Sequence, residues 1–306
     1  MVKFNDSPQA AFGWLVSQLS HVEPEVFQVK YPDITYPELV PVDTSANEWV
    51  KSVTYWSQDM KGKAEWLNGR AADVPLAEVA REKFETTVHM AGIGYDYTLE
   101  EVNQARYLGQ NLTADKANAA RRAYEEMCEL IAFSGDSGKG YTGLMNNASV
   151  TVGSAAAAWS GATVAQILGD INGAITGIWT ASKTVELADT ILLPLTQFSL
   201  LTTKQLDATI DSNLMAYIIK NNIYTAQTGQ PLKIRAMRQL ATAGASGVAR
   251  MVAYRRDPNI LKMHIPMRLK FLAPQAEGFK FVVPGMFRIG GVDVKRPGSV
   301  RYVDGL

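Results

Sequence analysis

Residues 113–133 read TADKANAARRAYEEMCELIAF. Ala117, Ala120, Tyr124, Met127 and Ile131 step by 3, 4, 3 and 4 positions, which places them in one apolar stripe on a helix. Thr113 stands where an N-cap belongs, and Arg121, Arg122, Glu125, Glu126 and Glu129 supply a wet face with i,i+4 pairs such as Arg121–Glu125. About twenty residues at 1.5 Å each make a rod of ~30 Å. Cys128 lies beside the stripe and reads as a small packed side chain rather than a nucleophile.

Just upstream, residues 96–109 (DYTLEEVNQARYLG) form a second helical segment. Thr98 as N-cap and Glu101 three positions later make a capping box, and Gly109 ends it. Further back, residues 48–57 are rich in β-branched and aromatic side chains, a strand pattern. Asp59 to Lys63 then reads as a turn, as does Asn68-Gly69. Residues 81–91 alternate, with Phe84, Thr86, Val88 and Met90 on one face and Glu85, Thr87 and His89 on the other. The two strands flank a long polar excursion, and loops of that size are usually functional.

The start of the chain has a different character. Pro8 to Ser20 carries Phe12, Leu15, Val16 and Leu19 at helical spacing. Pro24, Pro32, Pro37 and Pro41 follow with Val29, Tyr31, Ile34, Tyr36 and Leu39 between them, which predicts an extended arm. Those large apolar side chains must rest on something, either the chain's own body or a neighbour.

Beyond the long helix comes a Gly-rich loop, 135–143, and a second region from about Val150. Its expected elements are an Ala-rich linker (154–160), a helix (163–181), a buried strand (190–193), short helices (202–210 and 213–222) and strands (232–240 and 249–255). After Pro258 the pattern is β-rich to the end.

The chain has 306 residues, 47% hydrophobic and 20% charged, with 30 basic against 30 acidic side chains. That size suggests two to three ordinary domains at roughly 100–200 residues each. No apolar run is long enough to span a membrane, and a net charge of zero argues against a dedicated nucleic-acid binder. The zero hides an asymmetry. Residues 1–50 carry two basic and seven acidic groups, residues 249–306 eleven basic and four acidic, so the ends can attract each other within one chain or between copies.

Chemical motifs are few. Gly138-Lys139-Gly140-Tyr141-Thr142-Gly143 fits G-x-G-x-x-G, but it follows a helix and lacks the βαβ surroundings of a dinucleotide site. His21, His89 and His264 have no ligand at metal spacing. Glu100-Glu101 and Glu125-Glu126 read as charged helix faces, and Trp49, Tyr55, Trp56 and Trp66 as packing or subunit contacts. No catalytic group, cofactor or metal site emerges.

Several stretches together carry a resemblance: Tyr36–Thr44 (YPELVPVDT), Thr54–Ala64 (TYWSQDMKGKA), Asp73-Val74-Pro75, Gly94–Glu101 (GYDYTLEE), Ala117–Arg122 (ANAARR) and Gly143–Asn146 (GLMN). In this order the chain resembles the major capsid proteins of tailed bacteriophages, the Hong Kong 97-like lineage that also includes encapsulins. The resemblance implies an α+β fold with an N-terminal arm (1–47) and an extended β-hairpin loop with flanking strands (48–97). It further implies a peripheral domain with a long spine helix (98–149), an axial domain (150–244) and a return to the peripheral domain (245–306).

The implied function is a major capsid protein in the virion. It would self-assemble as hexamers and pentamers into an icosahedral shell around double-stranded DNA, with portal, scaffolding and decoration proteins as partners and no membrane. The short start, without a scaffold-like extension, implies a separate scaffolding protein. Candidate inter-subunit contacts are Tyr31, Tyr36, Trp56, Lys61, Lys63, Trp66, Arg255 and Arg256. Lys61 and Lys63 occupy the kind of turn from which some members cross-link to a neighbour's asparagine, but no matching asparagine or assisting acid is found. The alternatives are an encapsulin-type compartment and, in another class, a metabolic enzyme with a ligand loop at 138–143.

Overall fold

The computed structural model describes residues 31–64, 66, 76–108, 113–207 and 210–306. The chain divides into a unit of residues Met1–Asp33 and a unit of Ile34–Leu306, and all elements below belong to the second. The expected helix at 8–20, His21, the turn at Asn68-Gly69, the Asp73-Val74-Pro75 stretch and the Gly109 stop lie outside the described residues.

The helices are α1 (Tyr36–Leu39), α2 (Leu99–Leu108), α3 (Thr113–Ser134), α4 (Val164–Ala181), α5 (Leu195–Thr203), α6 (Leu214–Lys220) and α7 (Ile223–Thr228). The strands in the first half are β1 (Val42–Asp43), β2 (Ser52–Lys61), β3 (Glu78–Gly92), β4 (Tyr95–Thr98), β5 (Thr151–Ser154), β6 (Thr190–Leu193), β7 (Gln205–Asp207) and β8 (Ile210–Asn213). Those in the second half are β9 (Lys233–Ala236), β10 (Arg250–Tyr254), β11 (Leu261–His264), β12 (Met267–Phe271), β13 (Gln275–Glu277), β14 (Lys280–Val283), β15 (Gly285–Gly290), β16 (Val292–Val294) and β17 (Val300–Asp304).

One sheet organises the interior. Its order is β5-β17-β10-β6-β9, and every residue of β6 and β10 is buried. Side chains alternate across a strand, so such a sheet must be covered on both faces. Leu192, Val252, Tyr254, Val300 and Tyr302 join one core with Tyr124, Ile131 and Phe133 of α3. Ile191, Leu193, Met251, Ala253 and Val303 join the other with Ile167, Ile171, Ile175 and Ile178 of α4.

The apolar stripe of α3 packs as its spacing predicts, with Ala120, Tyr124 and Ile131 buried. On its wet face the ion pair is Arg122–Glu126 (2.9 Å) rather than Arg121–Glu125, because Glu125 accepts from the Tyr36 hydroxyl (2.8 Å). The capping box of α2 is formed in both directions, Thr98 N to Glu101 (2.9 Å) and Glu101 N to Thr98 Oγ1 (3.2 Å). Thr163 and Gln166 make a second one at α4.

Other expectations change. The proline-rich arm closes into α1, with Pro37 in its first turn, and Tyr36, Leu39 and Val40 are buried in the first core. The supposed turn at Asp59–Lys63 is strand through Lys61. The Ala-rich "linker" belongs to the second core: Trp159 is fully buried and its Nε1 donates to Asp170 (2.9 Å). The helix expected at 202–210 is instead the end of α5 followed by the β7–β8 pair. The strand expected at 232–240 stops at Ala236 and continues as a 3₁₀ turn, Arg238–Thr242.

Candidate interaction surfaces

The second sheet, β12-β15-β3-β2, carries a projecting hairpin. β3 is paired with β15 only over Val88–Gly92, while β2 pairs with β3 from Ser52↔Thr87 to Lys61↔Glu78. Beyond the foot, the hairpin is a two-stranded ribbon. One face carries Trp56, Met60 and Val79, the other Tyr55 stacked on Phe84 with ring centroids 5.1 Å apart. Trp56 is 65% and Met60 78% exposed, and Trp66 and Leu76 are also exposed. An isolated two-stranded ribbon is marginal in water, and this one displays large apolar side chains. Its chemistry fits burial against another protein surface.

The foot of the hairpin is fixed by polar contacts. The Tyr141 hydroxyl donates to the Thr87 carbonyl (2.9 Å) and lies 2.7 Å from His89 Nδ1. The ring of Tyr141 passes over Gly291, where an added Cβ would come within 2.8 Å of it. Burial raises the pKa of the phenol. On the other side, Thr86 donates to Asp293, which also receives His264 Nε2 at 2.8 Å. Lys262, beside His264 on β11, pairs with Asp43 of β1. Burial alone would raise the Asp43 carboxyl, but Lys262 and Ser45 outweigh it and hold the group well below the usual carboxylate range. A cavity of about 370 Å³ lies at this foot, between Tyr55, Phe84, Tyr141, Asn147 and Lys295. The Gly138–Gly143 stretch therefore supplies a structural plug, Tyr141, and Asp136 caps its turn by accepting from Gly138 N (2.9 Å). The acidic and basic ends of the chain also meet here, at Asp43–Lys262, within one chain.

The candidate contact residues fall into two groups. Trp56, Lys61, Lys63 and Trp66 are exposed on or next to the hairpin, and Tyr31 is exposed in the Met1–Asp33 unit. Tyr36, in contrast, is buried in its own chain, with its hydroxyl on Glu125. Arg255 binds the buried Glu186 (2.5 Å), shared with Arg296 (2.6 Å), and Arg256 donates to the Pro37 carbonyl (3.1 Å). All three side chains make contacts within their own chain, and Arg255 and Arg256 remain partly exposed. Nothing in local sequence pattern announces Glu186 or Asp293, whose partners lie far away along the chain. Among the described residues no group of three His, Cys, Asp or Glu side chains converges to hold a metal, and no helix is long and apolar enough to cross a membrane.

The sequence of residues 62–306 matches the family described as major capsid protein. No curated protein matches. Among solved structures, the capsid of Myoviridae phage XM1 aligns at TM-score 0.82 and 19% identity, covering 95% of this chain and 98% of that one. The capsid of an empty GTA particle aligns at TM-score 0.60 and 14% identity, covering 99% of each chain. A virus-like particle from Pyrococcus furiosus aligns at TM-score 0.55 and 10% identity, covering 88% and 91%. These likenesses show the Hong Kong 97-like fold, and with the family match over most of its length the chain belongs to the major capsid protein family, structural components of the virion capsid rather than enzymes.

Proposed function

We propose that the chain assembles, as hexamers and pentamers, into a closed icosahedral shell that encloses the double-stranded DNA of a tailed bacteriophage. The observation that carries this reading is the β2–β3 ribbon, paired over ten positions with apolar side chains exposed on both faces. Repeated around a closed symmetric assembly, a contact that is weak alone becomes cooperative. In this reading residues 1–47 act as the arm, 48–97 as the loop lying over a neighbour, and 98–149 with 245–306 as the peripheral domain. Residues 150–244 form the axial domain around the symmetry centres. Tyr31, Trp56, Lys61, Lys63 and Trp66 contact neighbouring subunits, and portal, scaffolding and decoration proteins complete the particle.

The test is electron microscopy of the purified chain, alone and coexpressed with a candidate scaffolding protein. Closed shells are expected. A monodisperse monomer under both conditions would contradict the reading. An encapsulin-type compartment would instead form shells around a cargo protein without DNA.

A further inference from the structure

We propose that Lys233, Arg235 and Arg256 form a phosphate-binding pocket. Together with Glu38, Leu39 and Thr190 they line a cavity of about 250 Å³. β9 is the edge strand of the central sheet, and Lys233 and Arg235, two positions apart, leave it on the same side. Both are exposed. Arg256 arrives from the other direction, just beyond β10. Its backbone N–H donates to Asp189 (2.9 Å) and Nη2 to the Pro37 carbonyl (3.1 Å), whereas Nε is buried without an acceptor.

Among the described residues none of the three cations is in an ion pair. Glu38 lines the cavity, and the neighbouring Asp189 carboxylate accepts from Thr190 and from the Arg256 backbone. The neighbouring arginines 255 and 296 already share Glu186. Three like charges gathered around one opening, from two separate elements, raise the local potential and leave donors without acceptors.

An anion resolves this, and its geometry points to phosphate. A carboxylate presents two oxygens in one plane. A phosphate presents oxygens in several directions, suited to donors that converge from a strand and a loop, and both Arg and Lys are phosphate binders. The source is either the backbone of enclosed DNA, which rests on the shell reading above, or free phosphate. Contacts to a DNA backbone position it without reading sequence, as enclosure requires.

The test uses the full chain with three probes: a short labelled DNA duplex, inorganic tripolyphosphate and citrate. The variants are K233Q/R235Q, with R256Q as a second, and K139Q/K220Q as a control that removes the same charge from other exposed positions. Thermal melts establish that each is folded. The wild type is expected to bind duplex DNA, with affinity falling about tenfold in K233Q/R235Q at ~0.1 M salt. The log–log salt slope should shrink by about 0.9 per cation removed. The control should keep wild-type affinity. Tripolyphosphate binding lost in the same variants, without DNA binding, assigns the pocket to free phosphate. Equal losses in K233Q/R235Q and the control, competition by citrate as strong as by tripolyphosphate, or no binding of either phosphate probe by the wild type would each overturn the proposal. Electron microscopy of the same samples scores shell formation separately, so a failure of the shell reading is distinguishable from a failure of the pocket.

Discussion

The phenol of Tyr141 and the imidazole of His89 meet at 2.7 Å, across the joint between the loop that follows α3 and the strand that becomes the projecting hairpin. The arrangement is satisfied when His89 Nδ1–H donates to the phenol oxygen and the phenol proton goes to the Thr87 carbonyl, 2.9 Å away. The Ile289 carbonyl of β15, 3.1 Å from the same oxygen, is the second acceptor of that proton in a bifurcated bond. One hydroxyl thus ties β3 to β15 where the hairpin leaves the body.

Tyr141→Phe should therefore cost about 1–2 kcal/mol, because buried acceptors lose their donor while the ring is kept. Urea denaturation measures the loss, and hydrogen exchange should show faster opening at Thr86–His89 than in α4. An unchanged midpoint and unchanged exchange would mean that the hydroxyl does not hold the foot.

Arg250 and Asp304 face each other in the β10–β17 register, joined by bonds of 2.6 and 2.8 Å, with both side chains about nine-tenths buried. Asp304→Asn leaves the Arg250 charge uncompensated and should cost about 3–5 kcal/mol.

The same carboxylate gives a pH dependence. Burial alone would raise the Asp304 pKa, but Arg250 and the Ala245 N–H outweigh it and lower it, as Lys262 and Ser45 do at Asp43. Groups with lowered folded pKa values add stability that is complete above their unfolded value of about 3.9. That stability is lost as pH falls through the folded value. Denaturation midpoints of dissociated subunits should be flat from pH 7 to about pH 5 and decline below about pH 4. The decline should be shallower in Asp304→Asn.

Gly143 packs against the end of α3 so closely that an added Cβ would lie 2.1 Å from the Phe133 carbonyl oxygen, a backbone atom that cannot swing away. Gly143→Ala should destabilise the chain by more than ~3 kcal/mol. Gly140, which has open space around it but a φ of 71°, should lose only about 1 kcal/mol on the same change. Comparing the two by thermal melting separates a packed structural loop from a ligand loop, where Gly140 would matter most.

Cys128 is fully buried, and burial pushes its thiol up to about 12. Alkylation at pH 8 should be negligible in the folded chain and complete in 6 M urea. Rapid labelling of the native protein would show that the α3 core opens readily.

The parts of this fold that were legible in the sequence are those set by local pattern. The α3 stripe, the Thr98–Glu101 cap and the buried β6 run all declare themselves within a few residues of one another. The illegible parts depend on distant partners. Trp159 looks like a linker residue until Asp170 and the isoleucines of α4 surround it. Asp59 to Lys61 continue a strand although neither face is buried in the chain, so no alternation marks them. Glu186, His264 and Asp293 matter through contacts made across the fold, and spacing carries no trace of them. The candidate surface itself was half legible: its aromatic content was visible, but which side chains stay exposed depends on packing that buries Tyr36 and leaves Trp56 and Trp66 outside.

A hairpin that holds copies together, rather than supporting its own subunit, is dispensable for folding and required for the shell. The most direct measurement is electron microscopy of a chain in which residues 57–82 are replaced by a short turn, leaving the foot at Thr86–Gly92 and Tyr141 intact, beside the full chain. Closed shells are expected for the full chain, and for the shortened one a folded, soluble subunit that forms none. Shells of equal yield and size from the shortened chain would contradict it.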